Sequence, residues 1–207
     1  YGTGNLTFYG TLGTVIPAFG MTASVAGDPS IEFENTVGGT IGAGTNAVQT
    51  ITFSATPDAG QFTLIWNGFQ TSTLAFNAPA NAGAGNIQAA LNALTGLTGA
   101  VVTGSIAAGL TVTYTGANGS QPVPILALGV NTLTITGTPV TATIIQTVVG
   151  VLPNVTLPIQ CLTTGDLPAY AGTITVIVTP IAGVSSVTNA DDITVGQNIE
   201  SDPALRV

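Results

Sequence analysis

The residues of this sequence that could carry out chemistry are mainly carboxylates. Glu32 and Glu34 stand two positions apart, and Asp28 precedes them in a Gly-Asp-Pro-Ser turn. Because alternate residues of a strand share a face, the two glutamates could act as an acid–base pair or hold Ca²⁺. The sequence offers no third partner and no substrate-binding cleft, so we favour a solvated strand face.

A second acidic set, Asp191 and Asp192, stands in a polar loop with Asn189 and Asn198 nearby. Carboxylate and amide oxygens are ligands that Ca²⁺ prefers, but the alternating Asp-x-Asp-x-Asp spacing of a calcium loop is missing. We therefore expect no metal and no other cofactor at either acidic set.

Most other catalytic residue types are absent. The chain has no His, no Lys and a single Arg, Arg206. Without His, the Ser–His and Cys–His pairs of nucleophilic catalysis cannot form, and without Lys there is no Schiff base or Walker-type phosphate loop. The single cysteine, Cys161, lies in an apolar run and is predicted to be a buried, inert thiol. The sequence thus predicts that the protein is not an enzyme and has no small-molecule substrate.

Aromatic residues gather around one predicted turn. Trp66 and Phe69 flank the dipeptide Asn67-Gly68, and Phe76 follows. Exposed rings of this kind could stack on a sugar, whereas packing in the core or on a hairpin is the commoner role of aromatics in a sheet. We keep both interpretations and regard Trp66 and Phe69 as candidate interface residues.

Charge is scarce in this chain of 207 residues: 5% of them are charged, the net charge is −8, and none lies between Ala59 and Gly165. One basic residue cannot neutralise a phosphate backbone, so we exclude nucleic acid as a partner. Gly, Pro, Thr and Asn interrupt every long apolar run, so no membrane insertion is predicted. A surface with so few charges is poorly protected against association, and we expect neighbours in an assembly to cover much of it.

The elements that must position these residues are short β-strands, and the predicted fold class is mainly β. Ile31 and Phe33 alternate with Glu32 and Glu34, the period of a strand with one buried face. Similar runs in the two flanks of the chain cover residues 5–9, 14–17, 21–25, 155–162, 173–178 and 184–188. We predict that residues 1–46 and 151–207 together form a β-rich host domain.

Residues 47–150 are predicted to form a β-sheet domain inserted into a surface loop of the host, where insertions are tolerated. Its strands are expected at residues 48–56, 61–66, 69–76, 100–103, 110–115, 132–136 and 142–149. Asn67-Gly68 is the strongest hairpin signal in the chain. Asn86 can cap one helix near residues 87–97, with Gly96 and Gly99 ending it.

Several segments resemble known phage proteins. Residues 172–206 read G-T-I-T-V-I-V-T-P-I-A-G-V-S-S-V-T-N, then an acidic loop with one glycine, then E-S-D-P-A-L-R. Residues 13–20 read G-T-V-I-P-A-F-G, and residues 28–34 read D-P-S-I-E-F-E. This order resembles the baseplate J-like proteins of contractile-tailed phages, although Phe19 replaces the small or polar residue expected there. The insert is similar to a β-rich module of phage structural and bacterial surface proteins. The segments that carry this similarity read V-Q-T-I-T-F-S-A-T-P, G-Q-F-T-L-I-W-N-G, N-I-Q-A-A-L-N-A-L and T-V-T-Y-T-G.

The resemblance implies a mechanical role in a virion. The protein would be a structural component of a baseplate wedge that connects its neighbours and transmits the contraction trigger. Its partners would be other wedge proteins and hub or tube-end proteins, with more than one copy per wedge, in a tail assembled in the bacterial cytoplasm. Within the E-S-D-P-A-L-R segment, Glu200, Asp202 and Arg206 are candidate interface residues next to an implied helix.

The alternative is a surface adhesin or a capsid-decorating protein, whose insert would bind a glycan or a host surface. The sequence begins at Tyr1 rather than Met and ends within the implied helix. We therefore expect it to be an excerpt of a longer chain. A baseplate J-like chain would continue in both directions, whereas an adhesin would show tandem copies of the insert or a cell-wall anchor.

Overall fold

The computed structural model describes residues 1–163 and 168–193. This part of the chain is mainly β, as predicted, and has one α-helix, α1 (Ile87–Asn92), and one 3₁₀ helix (Gly116–Asn118). The strands are β1 (Thr3–Gly10), β2 (Val15–Ile16), β3 (Thr22–Val25), β4 (Asp28–Asn35), β5 (Gly39–Thr40), β6 (Val48–Phe53), β7 (Gln61–Trp66), β8 (Phe69–Gln70), β9 (Leu74–Ala75), β10 (Ala100–Ser105), β11 (Gly109–Tyr114), β12 (Ala127–Asn131), β13 (Thr134–Ile135), β14 (Thr138–Pro139), β15 (Ala142–Val148), β16 (Asn154–Cys161), β17 (Ile174–Ile177) and β18 (Val184–Thr188).

The chain divides into two compact units. The host unit comprises Tyr1–Ala43 together with the chain from Pro153 onward, and the inserted unit comprises Gly44–Leu152. The predicted boundaries lie after residues 46 and 150. Each unit has its own hydrophobic core, which is the physical requirement for a domain that folds within the loop of another.

The host unit is built on one six-stranded sheet in the order β17-β3-β4-β16-β1-β18, beside a two-stranded ribbon of β2 and β5. Strand β4 illustrates why the sequence folds this way. Ile31 and Phe33 are buried, while the alternate residues Glu32 and Glu34 are only half-buried on the other face. Cys161 of β16 is buried and free, as predicted.

The two outer strands of this sheet, β17 and β18, lie beside each other, so the sheet is nearly closed. A buried side chain, Asn189, makes the connection between them. Its Oδ1 accepts the N–H of Ile174 (3.0 Å), and its Nδ2 donates to the carbonyls of Tyr170 (2.7 Å) and Asp191 (2.9 Å). Its own carbonyl accepts the N–H of Gly172 (2.8 Å). These four bonds replace part of the backbone ladder that the two outer strands lack.

The inserted unit has two four-stranded sheets. One has the order β10-β11-β6-β15; in the other, β7 pairs with β12 on one side and with β8 and then β9 on the other. Their inward-facing residues meet in one core together with α1. The larger members of that core are Ile51, Phe62, Leu64, Trp66, Leu91, Val112 and Tyr114.

The hairpin at Asn67-Gly68 is confirmed. Both residues have positive φ (48° and 83°), as a two-residue turn between twisted strands requires. The third predicted strand, residues 69–76, is wrong as a continuous element, because β8 and β9 pair with β7 in registers that differ by one residue. Between them Thr71 donates its N–H to the carbonyl of Leu64 (2.8 Å), but its hydroxyl, in place of its carbonyl, accepts the N–H of Leu64 (3.0 Å).

The predicted helix near residues 87–97 is shorter than expected. Asn86 caps it as predicted, with Oδ1 accepting the N–H of Ala89 (2.7 Å), but α1 ends at Asn92. The chain then tightens, since Leu94 and Leu97 donate to carbonyls only three residues back. The side chain of Asn92, the last residue of α1, bonds to the backbone of Ala100 in β10 and does not point to solvent. Both leucines remain buried.

We predict that Asn189→Ala lowers the free energy of unfolding by about 2–4 kcal/mol, because it leaves the buried N–H of Ile174 without a partner and removes two further bonds to the backbone. Urea denaturation measures the effect. Asn5→Ala is the matched control: Asn5 is an exposed asparagine of the same sheet, and its loss should change stability by less than about 0.5 kcal/mol. Equal losses in the two variants would contradict the closing role of Asn189.

Candidate interaction surfaces

Two of the carboxylates that the sequence singles out, Asp28 and Asp192, accept hydrogen bonds from other residues. Asp28 accepts from the N–H (3.2 Å) and the hydroxyl (2.6 Å) of Ser30. Asp192 accepts the N–H of Ala171 (2.8 Å), far along the chain. Glu32 and Glu34 lie on the outer face of β4. Over residues 1–163 and 168–193, no three His, Cys, Asp or Glu side chains come together in a group that could hold a metal ion.

The inserted unit carries a cleft of about 480 Å³. Its walls include Phe76, Pro57, Pro79 and Ile106, and its polar lining is limited to Thr, Ser and Asn side chains and the backbone. None of the lining side chains is a titratable acid or base. The cleft can therefore contact an apolar group, but it supplies no proton donor or acceptor suited to acid–base chemistry.

The structure separates the two aromatic candidates. Trp66 and Phe69 are opposite each other in the β7–β8 pair, yet Trp66 is 5% exposed and Phe69 is 44% exposed. Phe76 is half-buried and packs against the core. The hypothesis of a three-ring sugar-stacking platform is therefore wrong, since only Phe69 presents a large part of its ring to solvent.

Trp66 carries an unusual polar feature. Its indole N–H is buried and has no hydrogen-bond partner in the described part of the chain. The ring packs near Gly96, where a Cβ would lie 3.5 Å from the indole. Trp66 thus contributes apolar area to the core while leaving one donor unpaired.

In the host unit, four exposed apolar side chains lie on the two segments that form the β2–β5 ribbon, residues 11–20 and 36–40, which we call the tongue. They are Leu12, Val15, Phe19 and Val37, each 46–64% exposed. The base of the tongue is held by a buried amide, Asn35. Its Nδ2 donates to the carbonyls of Pro17 (2.7 Å) and Val37 (2.8 Å), and its Oδ1 accepts the N–H of Met21 (2.9 Å).

Phe19, the residue that departs from the resembled family, is the most constrained member of the tongue. Its φ is +55°, a conformation that costs a residue with a Cβ roughly 1–2 kcal/mol. Its N–H donates to the carbonyl of Asn35 (2.9 Å). An apolar ring that is exposed and held in a strained backbone fits a surface that contacts another molecule.

In the sheet β10-β11-β6-β15, the two edge strands, β10 and β15, differ in whether side chains bond to their outer backbone groups. At β10, three side-chain amides replace a missing neighbour strand. Asn92 pairs with both the N–H (2.8 Å) and the carbonyl (2.9 Å) of Ala100. At Val102, Gln88 accepts the N–H (3.0 Å) and Asn81 donates to the carbonyl (2.9 Å). These bonds close the edge against an added strand.

Sequence reasoning missed these amides. Asn35 could have been found, because it continues the buried period-2 series of Ile31 and Phe33 at the end of β4. Asn81, Gln88 and Asn92 precede β10 in a loop and a helix, and nothing in their spacing indicates a strand edge as their partner. Of the other candidates, Glu200, Asp202 and Arg206 lie outside the described residues.

Comparison with known proteins gives little further information. No protein-family model matches the chain, and no curated protein matches it. Among solved structures, a chain from Mycobacterium phage Patience superposes with a TM-score of 0.30 at 14% sequence identity, over 96% of this chain and 94% of that chain. Similarity at this level carries no argument about fold or function. In the described ranges, no helix combines the length and apolarity needed to cross a membrane.

We predict that Phe19→Gly raises the free energy of unfolding by up to about 1 kcal/mol, because glycine adopts positive φ without strain. Chemical denaturation of the chain measures the change. Phe19→Ala is the matched control, since it removes the same ring but keeps the Cβ and should give no gain. A gain of the same size in both variants would show that the ring, and not the backbone, is the source of strain.

Trp66→Phe should change the free energy of unfolding by no more than about 1 kcal/mol, because the loss of ring area is offset by removal of an unpaired buried donor. Trp66→Ala should cost about 3–5 kcal/mol through the cavity that it leaves. The comparison is made by urea denaturation of the two variants. Similar large losses in both would mean that the indole N–H has a partner in solution.

Proposed function

We propose that this protein is a structural component of a phage tail baseplate wedge, of the baseplate J-like kind, which connects neighbouring baseplate proteins and transmits the contraction trigger. The observation that carries the proposal is the ordered string from Gly172 to Asn189, which resembles that family. Its residues form β17 and β18 and include Asn189, whose side chain connects these two outer strands of the host sheet. The resembled segment is thus part of the framework of the host unit and not a peripheral tail.

A mechanical role also agrees with the chemistry of the surface. The titratable side chains in the described ranges are few, and Asp28, Asp58 and Asp192 are engaged with nearby backbone or hydroxyl groups. What the molecule offers to a partner is apolar: the tongue with Phe19 in the host unit and the ring of Phe69 in the inserted unit. These surfaces fit wedge, hub or tube-end proteins better than they fit a small-molecule substrate.

The inserted unit has a feature that favours a second candidate function. Phe69 is exposed beside a tight turn, and an exposed aromatic ring can supply a large part of the contact area of a binding surface. A capsid-decorating protein or surface adhesin would use the inserted unit in this way. The location of the protein in the particle separates this function from the baseplate role.

Immunogold electron microscopy of purified particles that contain the protein, with an antibody against residues 44–152, tests the proposal. We expect gold at the distal end of the tail, before or after forced contraction. The control is the same antibody absorbed with the recombinant chain. Gold on the head or on a cell envelope would contradict the baseplate role and support the decoration or adhesin function instead.

A further inference from the structure

The edge opposite β10 in the inserted sheet is open. Within residues 1–163 and 168–193, strand β15 ends this sheet and has β6 as its single paired neighbour. Strand β12 approaches β15, but among the described residues no backbone hydrogen bond joins the two. Just before β15, the N–H of Val140 donates to the carbonyl of Leu133 (2.8 Å) and its carbonyl accepts from Nδ2 of Asn131 (2.8 Å), so this end of the edge is covered. From Ala142 to Gln146, no described amide side chain bonds to the outer edge in the way that Asn92, Gln88 and Asn81 bond to β10.

The alternation of hydrogen-bonded pairs between β6 and β15 shows which backbone groups of β15 point away from β6. The N–H of Ser54 donates to the carbonyl of Thr141 (2.9 Å), so this opposed pair is a hydrogen-bonded one. Such pairs alternate along an antiparallel ladder, so the N–H and C=O of Thr143 and Ile145 also point to β6. The N–H and C=O of Ala142, Ile144 and Gln146 therefore point away from the sheet.

The side chains of β15 do nothing to block an added strand. The segment Ala142–Val148 contains no charge, no proline and no glycine, and three of its seven residues are Ile or Val. Ile145 is 53% exposed. The register stays regular from Ala142 to Gln146 and shifts only beyond Gln146. Natural edge strands normally carry Lys, Pro or an early bulge to prevent pairing, and this one has five regular residues before its bulge.

We propose that a second copy of this chain pairs antiparallel with β15 and joins the two four-stranded sheets into one. The two-fold axis passes through Ile144, the middle of the regular segment. Ile144 then faces Ile144 of the second copy, and Ala142 faces Gln146 in both directions. In this register every outward N–H and C=O of these three residues finds a partner. On the solvent face, Thr143 stands opposite Ile145, a pair of β-branched side chains that suits adjacent strands.

Charge explains why a second copy fits this edge. Eight of the nine acidic residues lie outside Gly44–Leu152, so like-charge repulsion between two copies acts mainly between their host units. Asp58 is the single charged residue between Gly44 and Leu152. The pairing of β15 with itself therefore brings together the part of the protein in which like charges are nearly absent.

The closed edge at β10 explains why pairing ends at two copies. If β15 could add to β10 of another copy, each addition would expose a new β15, and the chain would form open-ended fibres. The amides of Asn81, Gln88 and Asn92 occupy the backbone groups that such an addition needs. Of the two edges of this sheet, β15 remains, and the symmetric contact between two β15 strands is closed.

Sedimentation of the 207-residue chain over a range of concentrations tests the proposal. We expect a monomer–dimer equilibrium, and Ile145→Lys should raise the dimer dissociation constant at least tenfold, because it places a cation on the shared edge. Val101→Lys is the matched control: Val101 is 39% exposed on β10, and its replacement should leave the dissociation constant unchanged. A wild-type chain that stays monomeric, or equal weakening by both lysines, would overturn the proposal.

A second measurement tests the register. In the proposed pairing, Thr143 and Ile145 of opposite copies form a non-hydrogen-bonded pair, whose Cα atoms lie about 4.5 Å apart. This separation allows a disulfide, and the natural Cys161 is buried. The variant carrying both Thr143→Cys and Ile145→Cys should therefore form a covalent dimer on mild oxidation, visible on a non-reducing gel. A dimer that is not cross-linked in this variant would overturn the proposed register.

Discussion

Both units of this protein depend on hydrogen bonds between side-chain amides and the backbone. Asn35 holds the base of the tongue, Asn189 joins the ends of the host sheet, and Gln49 lies in the core of the inserted unit. The Oε1 of Gln49 accepts from the Tyr114 hydroxyl (3.1 Å) and from the N–H of Leu126 (2.9 Å), and its Nε2 donates to the carbonyl of Pro124 (2.9 Å). One side chain thus fixes the position of two separate segments.

Amides suit this role because they are neutral and carry a donor and an acceptor together. A carboxylate at the same buried position would need a compensating cation, and the sequence has a single Arg. Burial raises the pKa of Tyr114 well above its ordinary value, so the phenol keeps its proton and remains a donor to Gln49 at neutral pH. The hydrogen bonds that these amides make in both units are therefore independent of pH over the physiological range.

Much of the fold could be predicted from period-2 patterns and turn chemistry. The alternation in β4 is regular from Ser30 to Asn35. In β7 it is interrupted, because Phe62, Thr63 and Leu64 are buried in succession, but the Asn67-Gly68 turn fixes the register of the hairpin beside it. Strand β12 was missed, because the segment before it carries two prolines and its apolar residues do not alternate with polar ones. Alternation also places Val176 on the same face as Ile174, but a bulge between them turns Val176 outward. A bulge of this kind depends on the partner strand, which local sequence does not specify.

The candidate surfaces were less predictable than the fold. Trp66 and Phe69 are symmetric about their turn in sequence, and only the packing of the core decides that one ring is buried and the other exposed. The strain at Phe19 depends on a backbone conformation imposed by the carbonyl of Asn35, sixteen residues away in sequence. Such features arise from tertiary contacts and leave little trace in the local pattern.

The closure of the host sheet at Asn189 has a mechanical consequence. Strand β1 is joined to β16 by seven registered pairs and to β18 by four, so the load on these ladders is shared along their length. Between β17 and β18 the connection is concentrated at one residue and its immediate surroundings. A force that pulls β17 and β18 apart therefore acts on a few bonds in succession, and we expect the host sheet to open at this boundary before the ladder between β1 and β16 shears.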